Sequence, residues 1–270
     1  MIKEAVIPLA GLGTRMLPMT KVLPKELLPL GKQTILENII QECLDCGITK
    51  IIFIISKKKE IIKDYFRKDN KLEKKIYKNK NLLKSLKNLN KIFPKLKFVY
   101  QNYPKGLGDA VLHSKSYINL KHFLLLLPDD IIINKNCSKE LIAINKKRKS
   151  SVIALRKVSK KEVNRYGIVG FENSKNFKIS KMLEKPTLKS APSRYAIIGR
   201  YILSKKIFKY LKKQKSGSLG EIQITDALNA MLKEESFYGC KFLGKYLDCG
   251  TSEGYIKSFI EFNKKWKFVL

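Results

Sequence analysis

A glycine-rich turn close to basic side chains is the first feature of this chain that could do chemistry. The turn, residues 11–13 (Gly-Leu-Gly), follows a short apolar segment at residues 5–10. Two positions without a Cβ atom allow backbone N–H groups to approach an anion closely. Arg15 and Lys25 add positive charge nearby. This combination indicates a phosphate-binding turn, with an ordinary strand-end turn as the alternative.

Two common phosphate-binding motifs do not describe this turn. The dinucleotide fingerprint G-x-G-x-x-G requires glycine where Met16 stands, and the chain contains no G-x-x-x-x-G-K-[ST] motif. The pattern continues instead through a lysine- and proline-containing segment that ends at Leu30. This longer pattern favours phosphate binding over an ordinary turn.

A second candidate site lies where an apolar segment at residues 122–130 ends in two carboxylates, Asp129 and Asp130. Open α/β sheets bind ligands at the carboxyl ends of their strands. A Mg²⁺ ion typically takes one or two carboxylates together with phosphate oxygens. Asp129 is therefore a candidate Mg²⁺ ligand. Asp248, farther along the chain, is a candidate second ligand, and the alternative for each is a carboxylate that caps a helix or turn.

The elements that must position these residues alternate between strands and helices in the first half of the chain. This alternation predicts parallel strands joined by crossover helices, and the second half predicts shorter antiparallel strands. The expected fold is α/β, a Rossmann-like mixed and mainly parallel sheet flanked by helices, with a smaller antiparallel portion in the C-terminal half. The predicted strands cover residues 4–10, 50–56, 97–101, 122–130, 166–171, 177–185 and 195–203, and a helix covers 34–47. Residues 70–95 are expected to form an exposed helical insertion.

The net charge of +33 raises the possibility of nucleic-acid binding. However, lysine is spread along the chain and only seven of the 56 basic residues are arginine, so no specific nucleic acid is expected. No segment is apolar and long enough to span a membrane. Five cysteines, with no export signal, indicate reduced thiols and a cytoplasmic protein. The pair Cys43 and Cys46 falls in a helical pattern without a second pair at zinc spacing.

Several segments together resemble the nucleotidyltransferases that make nucleoside-diphosphate sugars. They are residues 11–30 and, in the family's order, KGLGDAV, LPDD, YGIV, EKP, AIIGRY, EIQITDA and DCG. The resemblance covers nearly the whole chain. It implies a single domain over 1–270, with a nucleotide-binding half at about 1–160 and sugar-binding and C-terminal elements at about 161–270.

The resemblance also implies roles for individual residues. The implied catalytic residues, which neutralise charge, are Arg15, Lys25 and Lys185. The implied metal ligands are Asp129 and Asp248. The implied sugar-binding residues are Asp130, Gly167 and Glu184. The implied nucleotide-binding residues are Leu9, Ala10, Gly11, Leu12, Gly13, Glu26, Gln101 and Gly106.

The implied reaction uses Mg²⁺ and converts UTP and glucose 1-phosphate to UDP-glucose and pyrophosphate, and the implied assembly is a homo-oligomer, a dimer or tetramer. The alternatives are a relative that uses dTTP or another sugar 1-phosphate, a basic nucleic-acid-binding protein and a nucleotide-sugar binder without turnover. Two positions depart from the family pattern. Asp109 stands where histidine is usual, and Arg194 where asparagine is usual. A carboxylate at 109 is unfavourable beside a nucleotide unless it caps the following helix. The two histidines, His113 and His122, are expected to be structural.

Overall fold

The computed structural model describes residues 1–214 and 221–264 as a mixed sheet with helices on its faces. The strands are β1 (Glu4–Pro8), β2 (Pro29–Leu30), β3 (Gln33–Thr34), β4 (Lys50–Ile55), β5 (Leu96–Tyr100), β6 (His122–Leu126), β7 (Asp130–Ile133), β8 (Ser151–Lys157), β9 (Gly167–Asn173), β10 (Lys178–Glu184), β11 (Tyr195–Ser204), β12 (Phe237–Lys241) and β13 (Lys245–Asp248). The helices are α1 (Ile35–Asp45), α2 (Ile61–Phe66), α3 (Asn70–Lys75), α4 (Lys80–Ile92), α5 (Leu107–His113), α6 (Cys137–Arg148), α7 (Ile207–Lys213), α8 (Ile224–Met231) and α9 (Ser252–Asn263).

The main sheet has the strand order β5-β4-β1-β6-β11-β8-β12-β10-β9. Its first four strands are parallel neighbours, as the strand–helix alternation predicts. Residues 51–55 of β4 are fully buried, because helices cover both faces of a parallel sheet. This arrangement brings the carboxyl ends of β1 and β6 side by side at one edge.

The second part of the sheet is mostly antiparallel. β11 runs antiparallel to both β6 and β8, and its first residues also pair with β9. The strands β11, β8, β12, β10 and β9 therefore close into a ring, in which β8 and β12 form the parallel pair. The predicted mixed α/β sheet, with an antiparallel portion in the C-terminal half, is confirmed.

Some element boundaries differ from the predicted ones. The strand expected at residues 122–130 stops at Leu126. Leu127 N–H still donates to the Gly199 carbonyl of β11 (2.8 Å), but Pro128 has no N–H to continue the ladder. The following strand, β7, pairs with β13 in a separate two-stranded sheet. Asp129 thus lies in the turn between the strands, and Asp130 is the first residue of β7.

The expected helical insertion at 70–95 consists of α3, α4 and a short 3₁₀ turn. The α4 helix begins where the Asn79 side chain accepts from Leu82 N–H, and it packs Leu89 and Ile92 against the main core. Within residues 1–214 and 221–264, no helix has the length and apolarity needed to cross a membrane. All five cysteines are free thiols.

Candidate active site

A cleft of about 510 Å³ opens at the edge where β1 and β6 end. Both strands are followed by loops that enter the cleft, which is the usual ligand position for an open α/β sheet. The predicted site residues that line it are Ala10, Gly11, Leu12, Gly13, Arg15, Lys25, Glu26, Gln101, Gly106 and Asp129. Leu9 does not line the cleft, because its side chain is fully buried in the core.

The glycine turn is shaped for close approach by a ligand. A Cβ atom on Gly11 would meet no atom within 4 Å, so this glycine borders open space. Gly13 has φ +69°, a left-handed conformation that glycine adopts without strain. The Thr20 hydroxyl donates to the Gly13 carbonyl at 2.8 Å and holds the turn in place.

Three charged side chains meet on the floor of the cleft. Lys25 Nζ lies 2.7 Å from Asp129 Oδ2, and Arg15 Nη2 lies 3.2 Å from the same oxygen. Burial by itself raises the pKa of Asp129, but the charges of Lys25 and Arg15 and the Lys25 hydrogen bond outweigh it, so that the pKa is lowered. Asp129 is therefore held as a carboxylate between two cations. The side chain of Lys25 is 11% exposed and that of Arg15 is 61% exposed, so Arg15 is the more accessible of the two cations to a ligand.

A backbone hydrogen bond next to Asp248 holds this residue close to Asp129. Cys249 N–H donates to the Asp129 carbonyl at 2.7 Å, and Asp248 accepts from Gly250 N–H at 2.8 Å. A Cβ atom on Gly250 would lie within 3.1 Å of Asp129 Oδ2, Asp248 Oδ1 and Arg15 Nη2. The absence of a side chain at 250 thus leaves room for the two carboxylates to converge.

Glu26 is buried at the side of the cleft and makes a pair that the sequence did not predict. Lys59 Nζ donates to both Glu26 carboxylate oxygens at 2.8 Å. Burial lowers the pKa of Lys59, and the charge of Glu26 partly offsets this effect. The ion pair fixes the position of the Glu26 carboxylate. Any contact between Glu26 and a nucleobase would therefore be made by a carboxylate that is already paired with Lys59.

Gln101 follows β5 and is anchored by its N–H, which donates to the Ile55 carbonyl at 2.9 Å. Its side-chain Nε2 donates to Asp109 Oδ2 at 2.6 Å. Asp109 lies in the first turn of α5 but caps no helical N–H. The carboxylate that departs from the family pattern is thus a partner of Gln101 and does not cap the helix.

Gly106 precedes α5 and has φ +95°. A Cβ atom there would lie 2.8 Å from the Ile222 carbonyl oxygen, so only glycine allows this close backbone approach. Two backbone hydrogen bonds of 2.8 Å stabilise this approach. Gly108 N–H donates to the Ile222 carbonyl, and Ile222 N–H donates to the Lys105 carbonyl. The neighbouring Glu221 lines the cleft.

Two of the predicted sugar-binding residues, Gly167 and Glu184, lie together outside this cleft. Thr225 Oγ1 donates to Glu184 Oε2 at 2.6 Å, and a Cβ atom on Gly167 would lie 3.1 Å from Thr225 Oγ1 and 3.2 Å from Glu184 Oε2. The glycine therefore makes room for this hydrogen bond. Lys185 is exposed, has φ +43° and is tied through its N–H to the Tyr166 carbonyl.

Asp130 points away from the cleft into the protein. It accepts from Gly199 N–H at 2.7 Å and from the Tyr246 hydroxyl at 2.6 Å. Burial and the neighbouring Asp129 raise the pKa of Asp130 to about 6. Both carboxylate oxygens already have protein partners.

A buried ion pair supports the bend that carries the two aspartates. Arg200 is fully buried and donates to the carbonyls of Leu127 (3.1 Å) and Gly199 (2.9 Å). Its remaining donors bind the Glu42 carboxylate of α1 at 3.0–3.1 Å. This network ties β11, α1 and the residue before Pro128 together.

Sequence reasoning missed several residues of this site. Lys59 stands in an ordinary lysine run, and nothing in its spacing distinguishes it from a surface residue. Thr225 and Gly250 belong to motifs that the sequence shows, but no role was predicted for either. The two histidines do not line the cleft: His113 Nδ1 lies 2.9 Å from the Asp109 carbonyl oxygen, and His122 opens β6.

Comparison with known proteins agrees with this geometry. The family model described as nucleotidyl transferase matches residues 4–265. The chain is 39% identical to the UTP–glucose-1-phosphate uridylyltransferase of Mycoplasma genitalium, over 98% of this chain and 93% of that protein. It is 40% identical to UTP–glucose-1-phosphate uridylyltransferase 1 of Staphylococcus saprophyticus, with the same coverage. A crystal structure of UDP-glucose pyrophosphorylase complexed with UDP-glucose superposes with a TM-score of 0.87 at 35% identity, covering 98% of this chain and 100% of that one. The chain therefore belongs to the nucleotidyl transferase family.

Proposed function

We propose that this protein transfers the uridylyl group of UTP to glucose 1-phosphate and forms UDP-glucose and pyrophosphate. The observation that carries the proposal is the meeting of Arg15, Lys25 and Asp129 beside the glycine turn. The names of the relatives and the high structural similarity support the choice of substrates.

The reaction joins two polyanions. A phosphate oxygen of glucose 1-phosphate forms a bond to the α-phosphorus of UTP, the bond from that phosphorus to the α,β-bridging oxygen breaks, and pyrophosphate leaves. Catalysis of this kind depends mainly on positioning and charge neutralisation. The backbone N–H groups of residues 11–13 would hold the triphosphate, and Arg15 and Lys25 would neutralise its charge. Lys185 would neutralise the sugar phosphate.

Asp129 and Asp248 fit a Mg²⁺ ion. Hard oxygen donors are the ligands that this ion prefers, and both carboxylates converge on the space beside Gly250. In the structure Lys25 and Arg15 supply the positive charge at Asp129. The bound metal would neutralise phosphate charge.

The remaining roles follow the family pattern. Gln101, Glu26 and Gly106 would lie against the base, and Glu184, Gly167 and Asp130 would contact or border the sugar. Because both oxygens of Asp130 are already hydrogen-bonded within the protein, its contribution would be to the shape of the sugar site. The cytoplasmic location, the homo-oligomeric state and the single domain over 1–270 remain predictions.

The test is pyrophosphate release with Mg²⁺ and glucose 1-phosphate, comparing UTP, dTTP, CTP, ATP and GTP. A strong preference for UTP is expected. A preference for dTTP would keep the reaction class and correct the nucleotide. No release with any nucleotide, from protein that binds UTP, would identify a nucleotide binder without turnover and refute the proposal.

A further inference from the structure

The contact between Gln101 and Asp109 determines which end of the Gln101 amide faces which way. An amide presents a donor at Nε2 and an acceptor at Oε1, whereas an ionised carboxylate only accepts. Asp109 Oδ2 lies 2.6 Å from the Gln101 amide, so the amide nitrogen must face Asp109. The reverse orientation would place two acceptor oxygens in contact.

The acceptor end of Gln101 is left open. Its Oε1 has no hydrogen-bond donor among residues 1–214 and 221–264. In the same part of the chain, the buried side-chain atoms that lack a partner are Arg156 Nε and Gln214 Oε1, so Gln101 Oε1 retains contact with solvent. Gln101 lines the cleft, while Asp109 does not. Since Asp109 holds Nε2, Oε1 is the end of the amide that remains for a ligand in the cleft.

We infer that Asp109 is a positioning residue for base selection, because by holding Nε2 it directs Gln101 Oε1 toward the nucleobase. Oε1 would accept from the N3–H of uracil or thymine and would oppose the N3 lone pair of cytosine. The inference rests on the proposed function for the placement of the base in this cleft. It adds a reason for the selection of uracil or thymine over cytosine that depends on a residue outside the cleft.

The test compares the dissociation constants of UTP and CTP by calorimetry in the wild type, Asp109→Asn and Asp109→Glu. An asparagine both donates and accepts, so Gln101 can rotate its amide and meet either base. We expect UTP to bind more tightly than CTP in the wild type. The ratio of the CTP dissociation constant to the UTP dissociation constant should fall about tenfold or more in Asp109→Asn. Asp109→Glu keeps an acceptor-only partner and should retain the preference. Asp109→Ala provides a second loss variant that should behave like Asp109→Asn, should the latter fold poorly.

Asp45→Asn is the matched control. Asp45 accepts from a glutamine amide, that of Gln41, at 2.7 Å on the exposed surface of α1, so the same change there should leave the ratio unaltered. A wild type without preference for UTP, or folded Asp109→Asn and Asp109→Ala variants that keep the wild-type ratio, would overturn the inference. Pyrophosphate release is measured separately. Absent release together with a ratio that shifts in Asp109→Asn would refute the proposed reaction and leave the inference standing.

Discussion

Lys25 Nζ and Asp129 Oδ2 lie 2.7 Å apart although the two residues are separated by 104 positions in the chain. The lysine enters the cleft from the loop after β1, and the aspartate follows β6, the parallel neighbour of β1. Each side chain is mostly buried, so the pair is shielded from solvent. The contact keeps one cation and one carboxylate together at the site proposed for phosphate and metal.

Replacement of Lys25 by methionine should lower kcat/KM by about a hundredfold or more, because a cation that neutralises charge developing in the transition state is lost. Pyrophosphate release from UTP and glucose 1-phosphate measures the effect. Lys84→Met, on the exposed surface of α4, serves as the control for removal of a lysine. Comparable activity in the two variants would contradict the assigned role of Lys25.

Asp129→Asn should raise the Mg²⁺ concentration needed for half-maximal activity by about tenfold, because a neutral amide binds a hard cation less strongly than a carboxylate. Asp248→Asn should shift the Mg²⁺ titration in the same direction. The measurement is initial rate against Mg²⁺ at saturating substrates. A titration unchanged in Asp129→Asn would exclude that residue as a ligand.

Lys59→Met should reduce the free energy of unfolding by about 3–5 kcal/mol, because it leaves the carboxylate of Glu26 buried and unpaired. Urea denaturation followed by circular dichroism measures the change. The double variant Glu26→Gln/Lys59→Met should recover much of the lost stability, since no buried charge remains. If the double variant is less stable than Lys59→Met, the cost does not come from the unpaired carboxylate.

Lys185→Ala should lower turnover while leaving the free energy of unfolding nearly unchanged. The side chain is exposed, so the free energy of unfolding should change by no more than about 0.5 kcal/mol. Turnover should nevertheless fall by about two orders of magnitude, since the phosphate of glucose 1-phosphate loses its countercharge. Steady-state kinetics with varied glucose 1-phosphate, alongside urea denaturation, tests both statements. Unchanged turnover would remove Lys185 from the active site.

His122 should make the fold sensitive to acid. Burial lowers the pKa of its imidazole, and the charge of Glu235 offsets this only partly. As the pH falls below about 6.5, unfolded chains bind the proton before the folded protein does, and stability decreases. His122→Gln should therefore lose less stability than the wild type between pH 7 and pH 5, as measured by urea denaturation. Parallel stability curves for the two proteins would contradict this reasoning.

The sequence by itself determined the features that depend on local spacing. Alternation of apolar and helical segments predicted the α/β sheet, because strand and helix periods are set by neighbouring residues. The glycine turn and Lys25 were recognisable for the same reason, since a phosphate-binding loop is a short continuous segment. Asp129 could be placed at the end of a buried apolar segment, and the family resemblance implied a metal-binding role for it.

Only the tertiary structure decided which side chains become partners. Lys59 appears in the sequence as one lysine of a run, and its burial against Glu26 results from the packing of residues 33 positions apart. Asp109 stands in the sequence only as a departure from the family pattern, and folding places its carboxylate against the Gln101 amide. Hydrogen bonds and ion pairs of this kind depend on distances between elements, and residue types along the chain do not encode those distances directly.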